Sequence, residues 1–476
     1  NGNLMPSNLL VILSDEHQAR AMGCAGHPFV QTPHLDALAA RGMRFTDAYT
    51  PSPICVPARA SFATGRHVHQ TRLWDNAMPY TGQIPGWGHC LQDAGVPVES
   101  IGKLHYRKNG DPTGFDREHI PMHVVGGHGM VWGSIRAQAE RVSPPTRMLG
   151  KHIGTGTSKY TDYDQAVTAK TVDWLSAHKD DDQPWCLYVG LVAPHFPLVV
   201  PQEFFDLYPP DSLPAPKMNP KEGYVRHPWV ELQNAQMDSE SQFTSDQERR
   251  HAVAAYFGLV SWMDHNVGRL MQALEEHGLT DKTTVIYSSD HGDNVGARGL
   301  WGKSNFYEES VGVPMIMAGP GVAVGKCETP VDLLDIAATI PAHFGLEFQS
   351  EGLSLPEIAA NPPDPERVVL SQYHAVGAVS AGYMLRKGRW KLNTYIGFEP
   401  ELFDLQNDPE EATNLAADPA FAAIVSDLTT ELRLRVDPEA ANVQAFADQA
   451  ALVESYGGRE AALNMGAPGA TPPPAT

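Results

Sequence analysis

The sequence predicts an α/β fold, in which a central mixed sheet is flanked by helices, followed by a smaller C-terminal α+β domain. Two observations carry this prediction: short apolar runs that end in polar residues recur along the chain, and amphipathic segments lie between them. The apolar runs are continuous rather than alternating, which is typical of strands buried on both faces.

Four predicted strands end in clusters of polar residues. The strands are residues 8–14, 97–102, 185–192 and 283–289, and the clusters are Asp15-Glu16-His17, Lys103-Leu104-His105, Ala193-Pro194-His195 and Asp290-His291-Gly292-Asp293. In open α/β sheets, ligands bind beyond the carboxyl ends of the strands. We therefore expect these clusters to converge on one site.

The helical segments are predicted from end signals and from amphipathic periodicity. Thr32-Pro33 and Gly42 predict a short helix between them, and residues 246–276 predict a long amphipathic helix. Farther along, strands are expected at 368–373 and at 383–392, with a turn at Lys387-Gly388, and a helix at 420–435. We divide the chain into a site-bearing domain (1–345), a C-terminal α+β subdomain (346–465) and a disordered tail rich in Gly, Ala and Pro (466–476).

Charge and cysteine content exclude several classes of protein. With 35 Lys and Arg against 56 Asp and Glu, the formal net charge is −21, which disfavours nucleic acid and anionic membranes as partners. No apolar run approaches the roughly 18 residues of a membrane span. Five scattered cysteines predict neither a disulfide framework nor a zinc site, and no secretory signal is visible. We expect a cytoplasmic protein, or a periplasmic one if a signal peptide has been removed.

The segment around Cys55 carries the most specific motif. Cys55-Val56-Pro57-Ala58-Arg59 continues to Thr64-Gly65, and Pro57 and Gly65 suit the first turn and the end of a short helix. Cys55 would lie at the helix N-terminus, where amide groups favour an anion and lower the pKa of a thiol. The alternative is that Cys55 is a small buried hydrophobe, as a lone cysteine usually is.

This segment resembles the signature of the formylglycine-dependent sulfatases of the alkaline phosphatase superfamily. The resemblance extends from Asn8 to residues 402–409, although Ala58 and Phe62 replace the usual serine and leucine. It implies an alkaline-phosphatase-like fold, hydrolysis of sulfate monoesters, and oxidation of Cys55 to formylglycine. It also implies a formylglycine-generating enzyme as the partner during maturation.

Acidic residues at two strand ends indicate a metal site. Asp15 and Asp290 would repel each other unless a cation lies between them, and oxygen ligands favour a hard ion. The resemblance implies Asp15, Asp290 and His291 as ligands, together with the modified Cys55. Glu16, one methylene longer than the acidic residue usual in the family, is a weaker fifth candidate. We expect Ca²⁺, with Mg²⁺ or Mn²⁺ as alternatives.

Further matches supply cations and proton carriers. Residues 102–105, 193–197 and 301–303 are similar to family segments. The resemblance implies that Arg59, Lys103 and Lys303 surround the sulfuryl group. It also implies that Asp290 assists attack by a hydroxyl of the hydrated aldehyde, that His195 or Lys303 protonates the leaving group, and that His105 deprotonates the second hydroxyl. Taken singly, such lysines and histidines are more often solvated or structural.

The leaving group is less well indicated. Residues 71–76 and 299–301 look most like the arylsulfatase and choline-sulfatase-like branches. Asn76 is either a contact to a substrate oxygen or a turn residue. Trp74, Trp132, Tyr373 and His374 either line the leaving-group pocket or belong to the core. We expect an aryl or small alkyl sulfate as the small-molecule substrate, and choline sulfate stays open.

Other functions remain as alternatives. A phosphonate monoester or phosphodiester hydrolase would share the fold and the Cys-x-Pro-x-Arg motif, and a non-catalytic anion-binding protein could retain the scaffold. A cysteine-based phosphatase is disfavoured because Arg59 follows Cys55 by four positions, whereas that loop has the form Cys-x5-Arg. The oligomeric state is open, with the C-terminal segments as the candidate interface of a homo-oligomer.

Overall fold

The computed structural model describes residues 7–136, 148–466 and 470–476. Within these ranges the strands β1 to β16 are, in chain order, Asn8–Asp15, Gly42–Phe45, Ala48–Tyr49, Val98–Lys103, Arg117–Met122, Gly154–Thr155, Cys186–Pro194, Val199–Val200, Thr283–Ser289, Met315–Ala318, Gly325–Cys327, Val331–Asp332, Val368–Tyr373, Gly382–Lys387, Trp390–Tyr395 and Glu401–Asp404. The helices α1 to α14 are Pro33–Ala40, Cys55–Thr64, Val68–Thr71, Trp87–Asp93, Lys159–Ala177, Gln202–Phe205, Pro228–Ala235, Asp246–Glu276, Glu308–Val311, Leu333–His343, Leu355–Ala359, Ala422–Arg435, Pro438–Ser455 and Arg459–Leu463.

The main sheet has the strand order β11-β2-β10-β9-β1-β7-β4-β5 in the described residues. Strands β9, β1, β7, β4 and β5 run parallel, whereas β10 is antiparallel to both of its neighbours. The predicted mixed sheet is therefore confirmed. The four strands whose ends carry the polar clusters are adjacent, so their carboxyl ends lie at one edge.

Strand β1 shows why the sheet is buried on both sides. Leu10 and Ile12 pack in an apolar cluster that includes residues of α5 and α8, whereas Leu9, Val11 and Leu13 pack in a second cluster that includes residues of α2 and α10. Successive side chains of a strand point to opposite faces. Each fully buried aliphatic side chain contributes about 1.5–3 kcal/mol, so this strand is held in place from both sides.

Helix α8 spans the predicted residues, 246–276, and it supports the end of β1. Its N-terminus is capped by Ser245 Oγ, which accepts a hydrogen bond from the Glu248 amide at 3.2 Å. From the middle of the helix, the Tyr256 hydroxyl donates to the Glu16 carbonyl at 2.7 Å. The long helix therefore fixes the backbone just after Asp15.

The C-terminal part forms a four-stranded antiparallel sheet in the order β13-β14-β15-β16. This sheet agrees with the predicted α+β subdomain. The turn between β14 and β15 lies at Gly388-Arg389, one residue later than expected, because Lys387 still pairs with Trp390. Helices α12 and α13 cover this sheet through a shared apolar cluster. The boundary after residue 345 stays a prediction.

Two further expectations concern the chain as a whole. Among the described residues, no helix combines the length and apolar character needed to cross a bilayer. We expected residues 466–476 to be disordered, but Ala470 and Thr471 instead pack beside the cavity described below. Residues 467–469 lie outside the described part of the chain.

Candidate active site

The structure brings the predicted polar clusters together at the carboxyl edge of the main sheet. Asp15 and Lys103 are the last residues of β1 and β4, while Asp290 follows β9 directly and His195 follows β7. All four side chains are buried. Buried charges are rare unless they are paired, so this concentration of charge makes the edge a candidate for a site.

Cys55 is the first residue of α2, and its side chain faces the acidic end of the sheet. Its Sγ lies 3.2 Å from His291 Nε2 and 3.8 Å from Asp15 Oδ1. The helix ends at Gly65, whose φ of 65° is the left-handed conformation that glycine adopts without strain. The predicted location of Cys55 at a helix N-terminus is therefore what the structure shows.

Burial makes the unmodified Cys55 thiol a weak nucleophile. Its side chain is 2% exposed, and burial together with the Asp15 carboxylate raises the pKa of Cys55 to about 12. Because the thiolate is the reactive form, a plain cysteine here would be almost entirely protonated near neutral pH. The location is better suited to a different nucleophile at the same position.

Arg59 lies one turn along α2 and connects the nucleophile helix to the carboxylates. Its Nε donates to Asp290 Oδ2 at 2.9 Å, and its Nη2 lies 3.5 Å from Asp15 Oδ2. Burial opposes its charge, but Asp290 raises the pKa of Arg59 further above its ordinary value. Tyr188 holds the other side, since Arg59 Nη1 donates to its hydroxyl at 3.1 Å.

Asp15 is the most strongly paired carboxylate of the site. Burial alone would raise the pKa of Asp15, but Lys103, which donates a hydrogen bond from Nζ to Asp15 Oδ2, and Arg59 hold the pKa well below its ordinary value. Asp15 therefore stays ionised and available as an oxygen ligand.

Four residues offer ligand atoms for a cation. One atom each from Asp15, Cys55, Asp290 and His291 lies within 4.8 Å of the other three. A cation bound at about 2.3–2.6 Å from each ligand spans a gap of this size. Because His291 Nδ1 lies 2.9 Å from the Gly292 carbonyl, it must carry the proton, which leaves the Nε2 lone pair facing the other three residues. Two carboxylates and an imidazole thus fit a divalent cation, with residue 55 at the fourth position.

Glu16 belongs to a neighbouring group. Its Oε2 accepts from Lys303 Nζ at 3.2 Å and lies 3.4 Å from His195 Nε2. Burial raises the pKa of Glu16 well above its ordinary value although Lys303 opposes this, and Glu16 Oε1 has no hydrogen-bond partner among the described residues. Asp15, Glu16 and His195 form a second potential ligand group, so the role of Glu16 at the metal stays a prediction.

Lys303 and His195 form the other charged pair beside Cys55. Lys303 Nζ lies 3.0 Å from His195 Nε2, and His195 Nδ1 lies 2.5 Å from the Phe196 carbonyl. The carbonyl can only accept, so Nδ1 carries the hydrogen and Nε2 accepts from Lys303. Burial and Lys303 hold the pKa of His195 well below its ordinary value. His195 is thus neutral, and the proton between the two nitrogens belongs to Lys303.

A narrow cavity of about 40 Å³ opens over Cys55. The predicted residues that line it are Asn76, Lys103, His105, His195, Trp301 and Lys303. Asn76 Oδ1 also accepts a hydrogen bond from the Val56 amide at 3.1 Å, so this side chain supports the start of α2.

Several lining residues were missed because they carry no motif. They are Met130, Met148, Tyr160, Gln233, Asn234, Met237, Asn305, Ala470 and Thr471. Conversely, the cavity is not lined by Trp74, Trp132, Tyr373 or His374, which are all buried in the core. The Trp74 ring packs edge-on against His374 at 4.7 Å between centroids. For these four aromatic residues the core alternative is correct.

A cluster of carboxylates, lysines and an arginine at the carboxyl edge of a mixed sheet suits a hydrolase that acts on anionic esters. The particular family follows from the sequence: a family model described as Sulfatase matches residues 7–346, and the chain belongs to the sulfatase family. A second model, described as N-sulphoglucosamine sulphohydrolase, C-terminal, matches residues 296–437. The chain is therefore a sulfuric ester hydrolase, as the resemblance implied.

Curated relatives agree with this assignment. A choline-sulfatase from Rhizobium meliloti (strain 1021) is 33% identical over 426 residues, which cover 87% of this chain and 83% of that protein. Arylsulfatase K from Bos taurus is 28% identical over 459 residues, covering 90% of this chain and 81% of that protein.

Solved structures show the same fold at lower identity. A phosphonate monoester hydrolase from Agrobacterium radiobacter superposes with a TM-score of 0.75 at 22% identity, covering 92% of this chain and 96% of that chain. A 2-O GAG sulfatase superposes with a TM-score of 0.70 at 23% identity, covering 90% and 91%. The predicted alkaline-phosphatase-like architecture is confirmed.

Proposed function

We propose that the protein hydrolyses aryl or small alkyl sulfate monoesters through formylglycine formed from Cys55 and a bound divalent cation. The observation that carries the proposal is the location of Cys55 at the start of a buried helix. There its Sγ lies within hydrogen-bond distance of His291 and close to Asp15. Formylglycine at this position would supply a geminal hydroxyl as the nucleophile, which the unmodified thiol cannot match.

Asp15, Asp290, His291 and the modified residue 55 would hold the cation, for which we propose Ca²⁺ because carboxylate oxygens favour a hard ion. Mg²⁺ and Mn²⁺, which also favour carboxylate oxygens, are the alternatives. When bound, the cation would supply positive charge that stabilises the negative sulfuryl oxygens.

The cationic side chains bind and orient the ester. Arg59, Lys103 and Lys303 approach position 55 from three elements, and each is already fixed by a carboxylate. Such preorganised charges stabilise a developing anion without rearranging during the reaction. Asp290, which accepts from Arg59 through Oδ2, would orient the nucleophile.

Proton transfer falls to Lys303, His195 and His105. Because His195 is neutral and accepts from Lys303, we propose that Lys303 delivers the proton to the leaving oxygen and that His195 holds the ammonium in place. Burial and Lys103 hold the pKa of His105 well below its ordinary value, so its imidazole is neutral. We propose that this neutral ring accepts the proton of the second hydroxyl, although the lowered pKa makes it a weak base.

The lining of the cavity supports an uncharged leaving group. Gln233, Asn234 and Asn305 contribute amides, and Met130, Met148 and Met237 contribute thioethers. Choline sulfate is a second candidate, which the aromatic rings of Tyr160, Phe196 and Trp301 favour, since such rings bind quaternary ammonium groups. Against it, Lys303 Nζ already lies 4.9 Å from the Phe196 ring centroid.

Mass spectrometry of the peptide that contains Cys55 tests the proposal. The protein is expressed with and without a formylglycine-generating enzyme, and turnover of aryl, ethyl and choline sulfates and of phenyl phosphonate is measured on each preparation. We expect an aldehyde or its hydrate at position 55 and sulfate ester turnover in proportion to the modified fraction.

Three results would contradict the proposal. Full activity with an unmodified thiol excludes the formylglycine mechanism. A preference for phenyl phosphonate makes the protein a phosphonate monoester hydrolase in practice. Tight sulfate binding without turnover by the fully modified protein indicates a non-catalytic anion-binding protein.

A further inference from the structure

The segment that follows residue 469 returns to the cavity over Cys55. Ala470 and Thr471 both line this cavity, although they are distant in sequence from every other lining residue. Two hydrogen bonds hold Thr471. Its Oγ1 lies 2.8 Å from His105 Nε2, and its carbonyl accepts from the Tyr160 hydroxyl at 2.6 Å.

The contact between Thr471 and His105 fixes an otherwise unsupported imidazole. His105 is 5% exposed, and its Nδ1 is buried without a hydrogen-bond partner among the described residues. Its backbone has a φ of 59°, a left-handed conformation that is uncommon for residues other than glycine. The Thr471 hydroxyl is therefore the polar group that sets the orientation of the ring.

Ala470 and Thr471 also take up space. Ala470 packs against the apolar cluster that includes Tyr160, and the cavity beside it measures about 40 Å³. A cavity that holds benzene is roughly 150 Å³. With this segment in place, the space beyond position 55 suits a short alkyl group better than an aromatic ring.

We propose that residues 470–471 form a specificity-determining wall of the leaving-group pocket and that Thr471 is a positioning residue for His105. This inference rests on the proposed sulfatase reaction, and it sharpens the substrate class to esters with small leaving groups. Esters with larger leaving groups react only if residues 470–471 move away from the cavity.

The positioning role is tested with Thr471→Val, Thr471→Ser and Thr476→Val in fully modified protein. Thr476→Val is the matched control, because it makes the same change at an exposed position of the same segment. On ethyl sulfate we expect Thr471→Val to lower kcat about tenfold with KM within about twofold, equivalent to about 1.4 kcal/mol in the barrier. Thr471→Ser should restore kcat. Equal kcat values for Thr471→Val and Thr476→Val would overturn the role.

The wall is tested by the ratio of kcat/KM for phenyl sulfate to that for ethyl sulfate. Deletion of residues 470–476 should raise this ratio at least about tenfold, and Ala470→Leu, which keeps the segment, should lower it. The second variant keeps the test decisive if the deletion fails to fold. An unchanged ratio in Ala470→Leu would overturn the wall.

One measurement separates this inference from the proposed function. The ¹⁵N chemical shift of His105 Nε2 reports its hydrogen bond in the protein without substrate. Thr471→Val should move this shift, whereas Thr476→Val should not. If fully modified wild-type protein turns over no sulfate ester, the proposed function fails. An unmoved ¹⁵N shift in Thr471→Val overturns the positioning role whether or not the enzyme is active.

Discussion

Two clusters of buried charges differ in what surrounds them. The cluster at the sheet edge (Asp15, Arg59, Lys103 and Asp290) adjoins Cys55 and the cavity. The junction cluster (Arg298, Glu308, Glu309, Lys391 and Glu411) joins α9 to the C-terminal part through ion pairs of similar length. None of the junction residues lines the cavity over Cys55. Buried charge alone therefore does not define the site; a nucleophile and open space beside the charges do.

Replacing the nucleophile should have the largest effect. Cys55→Ala removes the proposed precursor of formylglycine, so we expect kcat to fall by about 10⁴-fold or more. Cys90→Ala is the control, because this half-buried thiol lies outside the cavity. Initial rates with an aryl or ethyl sulfate check the effect, and substantial turnover by Cys55→Ala would place the chemistry elsewhere.

Removing a cation from the sheet-edge cluster should affect activity next. Lys103→Ala takes away one fixed positive charge that we propose to bind the sulfuryl group, so we expect a loss of about 10²–10³-fold in kcat/KM. The measurement is made at a temperature where circular dichroism shows the variant to be folded. A variant that stays folded and keeps full kcat/KM would assign Lys103 a structural role like that of the junction lysine.

A substitution in the junction cluster should lower the stability of the fold rather than the activity. Lys391→Ala leaves the buried Glu411 and the half-buried Glu308 without the lysine that pairs with both, so we expect the free energy of unfolding to fall by about 3–5 kcal/mol. Chemical denaturation measures this loss, and the exposed Lys326→Ala is the control. Undiminished stability with impaired turnover would mean that the junction also serves the reaction.

The smallest expected effect is a change with pH in the contribution of Glu309 to the free energy of unfolding. Burial alone would raise the pKa of Glu309, but Arg298 and Lys217 hold it below its ordinary value. Ionised Glu309 therefore stabilises the fold above the ordinary glutamate pKa of about 4.3, and this contribution is lost as the pH falls below it. The difference in unfolding free energy between wild type and Glu309→Gln should shrink between pH 6 and pH 3. A constant difference would show that the charge of Glu309 is irrelevant.

The strands and helices that carry the site could be predicted, because short stretches of sequence determine them. Continuous apolar runs located the strands, amphipathic periodicity located α8, and the Cys55 motif located the helix that begins at Cys55. The polar residues at strand ends then had to meet, since parallel neighbours share their carboxyl edge.

The cavity wall could not be predicted in the same way. Tyr160 and Asn234 lie on helices with ordinary amphipathic patterns, and Thr471 lies in a segment whose composition indicated disorder. Their approach to Cys55 depends on long-range packing that leaves no local signal. Trp74 and Tyr373 were predicted as possible pocket residues but lie in the core. An aromatic residue near a motif is compatible with a core as well as with a pocket, so its local sequence could not decide between the two.

The double burial of β1 bears on how this enzyme could be redesigned. Its side chains serve two cores at once, so a shift of one residue would exchange Leu10 and Val11 between opposite layers and turn Asp15 away from its partners. Engineers should therefore treat the strand as invariant scaffold. Libraries of substitutions are better placed in α7 and in residues 470–471, which line the cavity at its periphery. Such substitutions can change which leaving groups are accepted while the geometry around Cys55 stays the same.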